Sequence, residues 1–400
     1  MSNDHADTAG GSAGPEPDTG VTLYRPIIVA ILYLANLFTG FSVLIGLILA
    51  YVWRNEEATT EWEESHFTYL IRTFWIGFWV TILLGAGAIL PGCKPVMSGL
   101  LTGADAHPGD YPTVRAVEFM GRYLDEKTGG RLGIRMFAGG QLGSETDTLE
   151  ITSFGGIDFN RVNFAPLNSI EPMTLPFCLP FVFDSVAHMR RVVDSEVGDE
   201  VMASLEPHNL IGLCIYDSGA RSFYNVRRPI TKPEDLRGLK IRVPASDLYI
   251  AMVNALGANA VPIPFGEIYQ SLAQGVIDGA ENNWPTFVGE RHYEVANYLS
   301  LTQHLLTPEA LVMSKASWER LSRADQLLVR EAAKASVVEM RRLWDIRVDE
   351  AKAAVAASDV AVNTVDTEPF AALMRPVWDQ FITTPAQQDI VRRIRDMREG

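Results

Sequence analysis

Cysteine is scarce in this chain. The 400 residues hold three, Cys93, Cys178 and Cys214, and no two form a C-x-x-C pair. That spacing argues against a zinc ribbon or a redox dithiol. Positive charge is also short: 34 Lys and Arg face 49 Asp and Glu, a formal net charge of −15. No Lys/Arg stripe, zinc knuckle or RNA-reading aromatic pattern is present, so no nucleic-acid partner is expected. No G-x-S-x-G elbow stands between a strand and a helix. DSGAR, Asp217 to Arg221, holds a serine, but nothing in the sequence places a His and an Asp near it. GGQLG, Gly139 to Gly143, lacks the Lys-Ser/Thr of a phosphate loop and reads as a strand-to-helix turn. No general acid/base pair is evident. The expectation is a protein that is not an enzyme and uses no cofactor.

Apolar residues are plentiful. They make up 47% of the chain, and the mean hydropathy is slightly positive. A membrane part beside a soluble one follows. Residues 1–20 are rich in Gly, Asp and Ala and read as a disordered tail. Residues 21–92 read as a membrane segment with two apolar spans, about 26–53 and 72–91. The first has no charge from Ile27 to Val52, and the second carries Trp75 and Trp79, suited to an interface. The second span has another reading. A positive start, an apolar middle and the lipobox-like LPGC ending at Cys93 have the layout of an export signal, with Cys93 a lipidation candidate. The stretches LYLANLFTGFSVLIGLILAYVWRN and HFTYLIRTFWIG resemble part of a small bacterial inner-membrane protein.

From about residue 96 to 400 the pattern changes to that of a soluble α/β unit. RLGIRMFA, NLIGLCIYDSG and LKIRV read as short buried strands. TVRAVEFMGRYLDEKTGG reads as a helix, with Val114, Val117, Met120 and Leu124 at helical spacing and a glycine stop. FGEIYQSLAQGVIDGA reads as a helix feeding a strand. Such alternation predicts a sheet of parallel strands, with ligands beyond their carboxyl ends. Ser322 opens a capping-box-like start, and no Pro or Gly follows before Ser358. A helix of that length spans on the order of 50 Å and can bridge two lobes.

The candidate site residues are polar and cationic. Arg221 and Arg242 fall at strand ends, where a rigid bidentate fork suits a carboxylate. Asn160, Arg161 and Asn163 in DFNRVNFAP add polar groups, as do Asn282 and Asn283 in GAENNWPTF. Trp284 offers an aromatic platform for a sugar ring. Asp105, His107 and Asp110 are possible metal ligands, but the other histidines offer no matching spacing, and a ligand-contacting loop or helix cap is the better reading. Glu145, Asp147 and Glu150 read as a solvated first helical turn. Cys178 and Cys214 are candidates for a disulfide if exported, although both lie in core-like sequence.

GGQLG, SGARSFYN, LRGLKIRVPAS, NALGANAVPIPFGEIYQSLAQGVIDGAENN and LLTPEALVMSK resemble the solute-binding proteins of tripartite ATP-independent periplasmic (TRAP) transporters. The likeness runs from about Leu101 to Met397. It implies an α/β, two-lobed clamshell like other periplasmic binding proteins, with a long bridging helix, here preceded by the two predicted transmembrane helices. Lobe 1 would take about 96–220 plus part of the C-terminal helices, and lobe 2 about 225–312. The resemblance places the carboxylate clamp on Arg242, a second ligand-side arginine on Arg221 and an amide on Asn282. It places an apolar wall on Phe265, a polar contact near Asn163, and a first-strand contact on Asp105 or His107. HPGDYPTV, DFNRVNFAP and DSGARSFYN look most like the branch that binds hexuronates. The implied partners are a small organic acid and the membrane permease, with the protein facing the periplasm. The front departs from the family, whose members begin with a cleavable export signal. A tethered binding protein and a merged gene both fit it. A membrane-tethered sensor or adaptor using the same clamshell is the alternative function.

Overall fold

The computed structural model describes residues 99–398 and, before them, only the helical positions Ile48, Leu49, Val52, Thr68 and Ile71. The expected tail, the second span, Cys93 and nearly all of the first span lie outside these residues. Among the described residues no helix is long and apolar enough to cross a membrane. Residues 1–93 and 94–400 form separate compact units, and the second carries the architecture below.

Its chain runs β1 (Gly99–Ala104), α1 (Pro112–Thr128), β2 (Leu132–Phe137), α2 (Glu145–Ser153), β3 (Phe159–Asn163), β4 (Leu210–Tyr216) and β5 (Arg221–Asn225). It continues through β6 (Lys240–Val243), α3 (Asp247–Ala255), β7 (Asn259–Pro262), β8 (Gly279–Asn282), α4 (Trp284–Gly289), β9 (Tyr298–Leu305) and β10 (Glu309–Ser314). It ends with α5 (Arg323–Ala356), β11 (Ala361–Thr364) and α6 (Pro385–Asp396), with shorter helices between. The strands form two sheets, ordered β2-β1-β3-β10-β4 and β11-β9-β5-β8-β6-β7. Each sheet centres a lobe.

The chain changes sheet three times. It leaves the first through the turn between β4 and β5, returns between β9 and β10, and crosses again along α5 to β11. Strand β10 therefore belongs to the first sheet, and β11, far along the sequence, to the second. The expected all-parallel sheet is corrected here. Strand β10 runs antiparallel to β3 and β4, and β5 runs antiparallel to β8 and β9. A strand that brings the chain back from the other lobe enters its sheet from the opposite end. Parallel pairing survives where helices connect strands within a lobe, as in β1–β2, β6–β7 and β6–β8.

Helix α5 forms as its sequence predicts. The Ser322 side chain accepts from the Asp325 backbone amide at its start, and 34 residues follow. Val329, Ala332, Ala333, Met340 and Trp344 pack into the lobe 1 core with Val114, Val117 and Met120 of α1. Val355, near its other end, lies in the lobe 2 core with Tyr224 and Phe287. One helix thus contributes to both cores. Cys178 and Cys214, candidates for a disulfide but set in core-like sequence, are both free. Burial pushes each thiol up to about 12, so both behave as small apolar side chains.

Candidate ligand-binding cleft

The ends of β3, β5, β6, β8 and β10 converge on one cleft. His107, Glu145, Arg161, Asn163, Arg221, Arg242, Phe265, Asn282 and Glu309 line it, and the cavity left between them is about 20 Å³. That is room for about one water, so the lobes must part to admit a larger ligand. His107, Glu145, Arg161, Asn163 and Glu309 come from lobe 1; the other four come from lobe 2. Across the gap, the His107 ring meets the Phe265 edge at 4.8 Å. Tyr111, stacked on His107 at 3.9 Å, reaches Thr286 Oγ1 of α4 at 3.0 Å.

Three buried arginines meet here, in different electrostatic states. Arg221 Nε donates to Glu281 Oε2 at 2.6 Å and its Nη2 to Oε1 at 2.7 Å, a bidentate pair. Its Nη1 donates to Asn282 Oδ1 at 2.9 Å. Burial would raise the Glu281 carboxyl, but Arg221 holds it down to about 2. Arg161 is enclosed by acids. Its Nη1 reaches Glu145 Oε1 at 2.8 Å and Glu309 Oε2 at 3.0 Å, and its Nη2 meets Asp105. Arg242 is different. Its Nε donates to the Ile263 carbonyl at 2.9 Å, and no carboxylate among the described residues pairs with it. It is 3% exposed. Burial first, and then the Arg221 charge, lower it to about 10. A guanidinium held out of water without a counter-ion is a ready receptor for an anion.

The neutral groups complete the lining. Asn163 Oδ1 caps the Ala165 amide and Asn282 Oδ1 is taken by Arg221, so each presents its NH₂ as the free end. His107 Nδ1 lies 2.6 Å from Arg161 Nη2, which can only donate. The same Nδ1 lies 3.1 Å from Asp105 Oδ1, which can only accept, so Nδ1 faces both a donor and an acceptor, and Nε2 is the ring nitrogen with no hydrogen-bond partner among the described residues.

Several sequence expectations change position. Asp105 does not line the cleft: it lies behind it, holding Arg161, His107 and the Thr113 hydroxyl. Burial works against its charge, yet Arg161 and His107 keep it well below the usual carboxylate range. Asp110 pairs with Arg347 at 2.5 Å, so the three groups once considered for a metal are already engaged. Among the described residues no cluster suited to a metal is found. Trp284 is not part of the lining. Asn283 caps α4, and Trp284 begins the helix half-buried against the lobe 2 core. Asn160 also stays outside, buried on the opposite face of β3. Glu145 moves the other way. The expected solvated residue accepts from Arg161 and from the Asn163 amide at 3.0 Å.

Sequence reasoning missed Glu281 and Glu309. Both sit inside otherwise uncharged, wholly buried strands, GAEN and EALVMS. That was the available signal, since a carboxylate buried in a strand needs a cation close by.

Two lobes around a buried guanidinium that no described carboxylate pairs define a binding protein for a small anion. The family model for bacterial extracellular solute-binding protein, family 7, matches residues 103–384, and the chain belongs to that family. Members capture and deliver a solute rather than transform it. A solute-binding protein of Chromohalobacter salexigens is 43% identical over 296 residues, covering 74% of this chain and 88% of its own. The 2,3-diketo-L-gulonate-binding periplasmic protein of Escherichia coli is 30% identical, over 69% of this chain and 85% of its own. Among solved structures, a TRAP periplasmic solute-binding protein of Bradyrhizobium, in complex with galacturonate, is 49% identical with a TM-score of 0.73. The match covers 74% of this chain and all of that one. A Chromohalobacter salexigens counterpart with bound D-glucuronate is 42% identical, with the same TM-score and coverage.

Proposed function

We propose that this protein captures a hexuronate, galacturonate or glucuronate, between its lobes and delivers it to a TRAP membrane permease. The observation that carries the reading is Arg242, a buried guanidinium with no acid partner among the described residues. The uronate carboxylate supplies the missing charge through a bidentate pair. Arg221 and Arg161 hold the lining in place through their own carboxylates. The Asn163 and Asn282 amides and His107 Nε2 meet ring and hydroxyl oxygens, and Phe265 covers the apolar face of the sugar. The uronate-bound relatives support the ligand class. The clamshell works outside the cytoplasm, tethered to the inner membrane through residues 21–92 or free in the periplasm where that segment is processed.

A thermal-shift and calorimetric series with hexuronates, short dicarboxylates, keto acids and neutral hexoses tests this. At a hundred times its dissociation constant, a ligand adds about 2.7 kcal/mol of stability. Uronates should give that shift and neutral hexoses none. A larger shift with keto acids or short dicarboxylates would retire the uronate assignment and keep the family role.

A further inference from the structure

The charge in the cleft is unevenly divided between the lobes. Lobe 2 contributes Arg221, Arg242 and Glu281, with Glu281 spent on Arg221. One positive charge is left. Lobe 1 contributes Arg161 and three carboxylates around it, Asp105, Glu145 and Glu309. That side is left with an excess of two negative charges. Two of these acids line the cleft itself. Glu309 is 2% exposed, and its Oε1 accepts from the Ser218 hydroxyl at 3.0 Å. Its Oε2 lies 3.0 Å from Arg161 without a well-directed hydrogen bond. Glu145 directs Oε1 to Arg161 and the Asn163 amide, and Oε2 has no hydrogen-bond partner among the described residues.

We infer that lobe 1 is an acceptor face, on which Glu145 and Glu309 accept hydrogen bonds from the ligand's hydroxyls and refuse a second anionic group. This rests on the uronate reading and narrows it: the site takes a polyhydroxy monoanion and rejects its dianionic counterpart. The carboxylate docks on lobe 2, and the rest of the molecule must offer donors to lobe 1. A second carboxylate there would meet two acids in a water-poor site, where like charges repel strongly and salt screens little.

Shape must be separated from charge. A hexarate carries two carboxylates but cannot close to a pyranose, so its proper comparison is the hexonate, an open-chain monoanion of the same length. Calorimetric competition against bound galacturonate gives the hexonate-to-hexarate affinity ratio. The wild-type protein should bind the hexonate at least tenfold more tightly than the hexarate. Glu309→Gln and Glu145→Gln each keep an acceptor oxygen and remove one charge, and each should shrink the ratio at least threefold by improving the dianion. If Glu309→Gln does not fold, Glu145→Gln, at the first turn of α2, carries the test. Equal affinity for monoanion and dianion in the wild type, or unchanged ratios in the folded variants, overturns the inference. A different monoanion binding better than any uronate overturns only the ligand assignment, and the charge comparison then uses that acid and its dianionic counterpart. Failure of every monoanion to bind overturns both.

Discussion

Arg221 and Arg242 look alike in sequence, each near a strand end among apolar neighbours, yet the fold gives them opposite duties. Arg221 neutralises Glu281 inside the protein, whereas Arg242 awaits a partner from outside. Substitution separates the two roles. Arg242→Ala removes the ligand's counter-charge and should cost about 2–5 kcal/mol of binding, with little loss of stability in the ligand-free protein. Unchanged affinity in calorimetry would remove Arg242 from its role. Arg221→Met leaves Glu281, 0% exposed, without its cation. Breaking one side of a buried pair costs about 3–5 kcal/mol, so denaturant midpoints should fall sharply even without ligand. A midpoint equal to wild type would show that Glu281 is satisfied some other way. Lysine at 242 keeps the charge and loses the planar fork, so its affinity should fall between those of wild type and alanine.

Between β4 and β5 the turn of DSGAR carries the chain from one sheet to the other. Its charged, hydroxyl and glycine positions each have a job there. Asp217 pairs with Arg190 at 2.5 Å and with Arg341 of α5 at 3.2 Å. Ser218 donates to Glu309. Gly219 has φ +62°, and a Cβ there would lie 3.0 Å from the Trp344 ring. Gly219→Ala should therefore destabilise the protein by about 1–3 kcal/mol, read as a lower urea midpoint, and a neutral result would mean that the crossing can shift away from α5. Elements with local punctuation were legible in sequence. Helix α1 stops at Gly129, which takes φ +61°, and α5 starts at Ser322. Strand direction was not legible, because β10 runs antiparallel only by virtue of returning from the other lobe. The site divided along the same line. Arg242, Asn163, Asn282, His107 and Phe265 stand in local motifs and do line the cleft. Glu281 was missed because its partner is 60 residues away. Trp284 was misplaced because the cap at Asn283 sets its direction, and a cap's geometry is invisible in composition.

For the whole molecule, burial of ionisable groups in both lobes makes stability depend on pH in a definite direction. His292 is 1% exposed, its Nδ1 2.8 Å from the Tyr224 hydroxyl. Burial first, and then the Arg242 charge, lower it to about 3. His304, stacked on Phe223, is shifted the same way by burial. In the unfolded chain both titrate near 6.5. Above that pH each imidazole is neutral in both states and contributes no difference. As pH falls below about 6.5 the unfolded chain takes up protons that the folded one refuses, so stability drops. Glu281 and Asp105 add to the loss only below their unfolded range near 4, because their folded values lie far lower. Between pH 7 and 5 the imidazoles therefore act alone among these four groups, and His292 by itself should remove about 2 kcal/mol by pH 5. Melting temperatures measured across that interval at constant ionic strength should decline. His292→Gln, which leaves Tyr224 a polar partner, should flatten the slope. A wild-type profile level from pH 7 to 5 would mean that the two imidazoles take up protons in the folded protein, and that lobe 2 is open enough to water to let them.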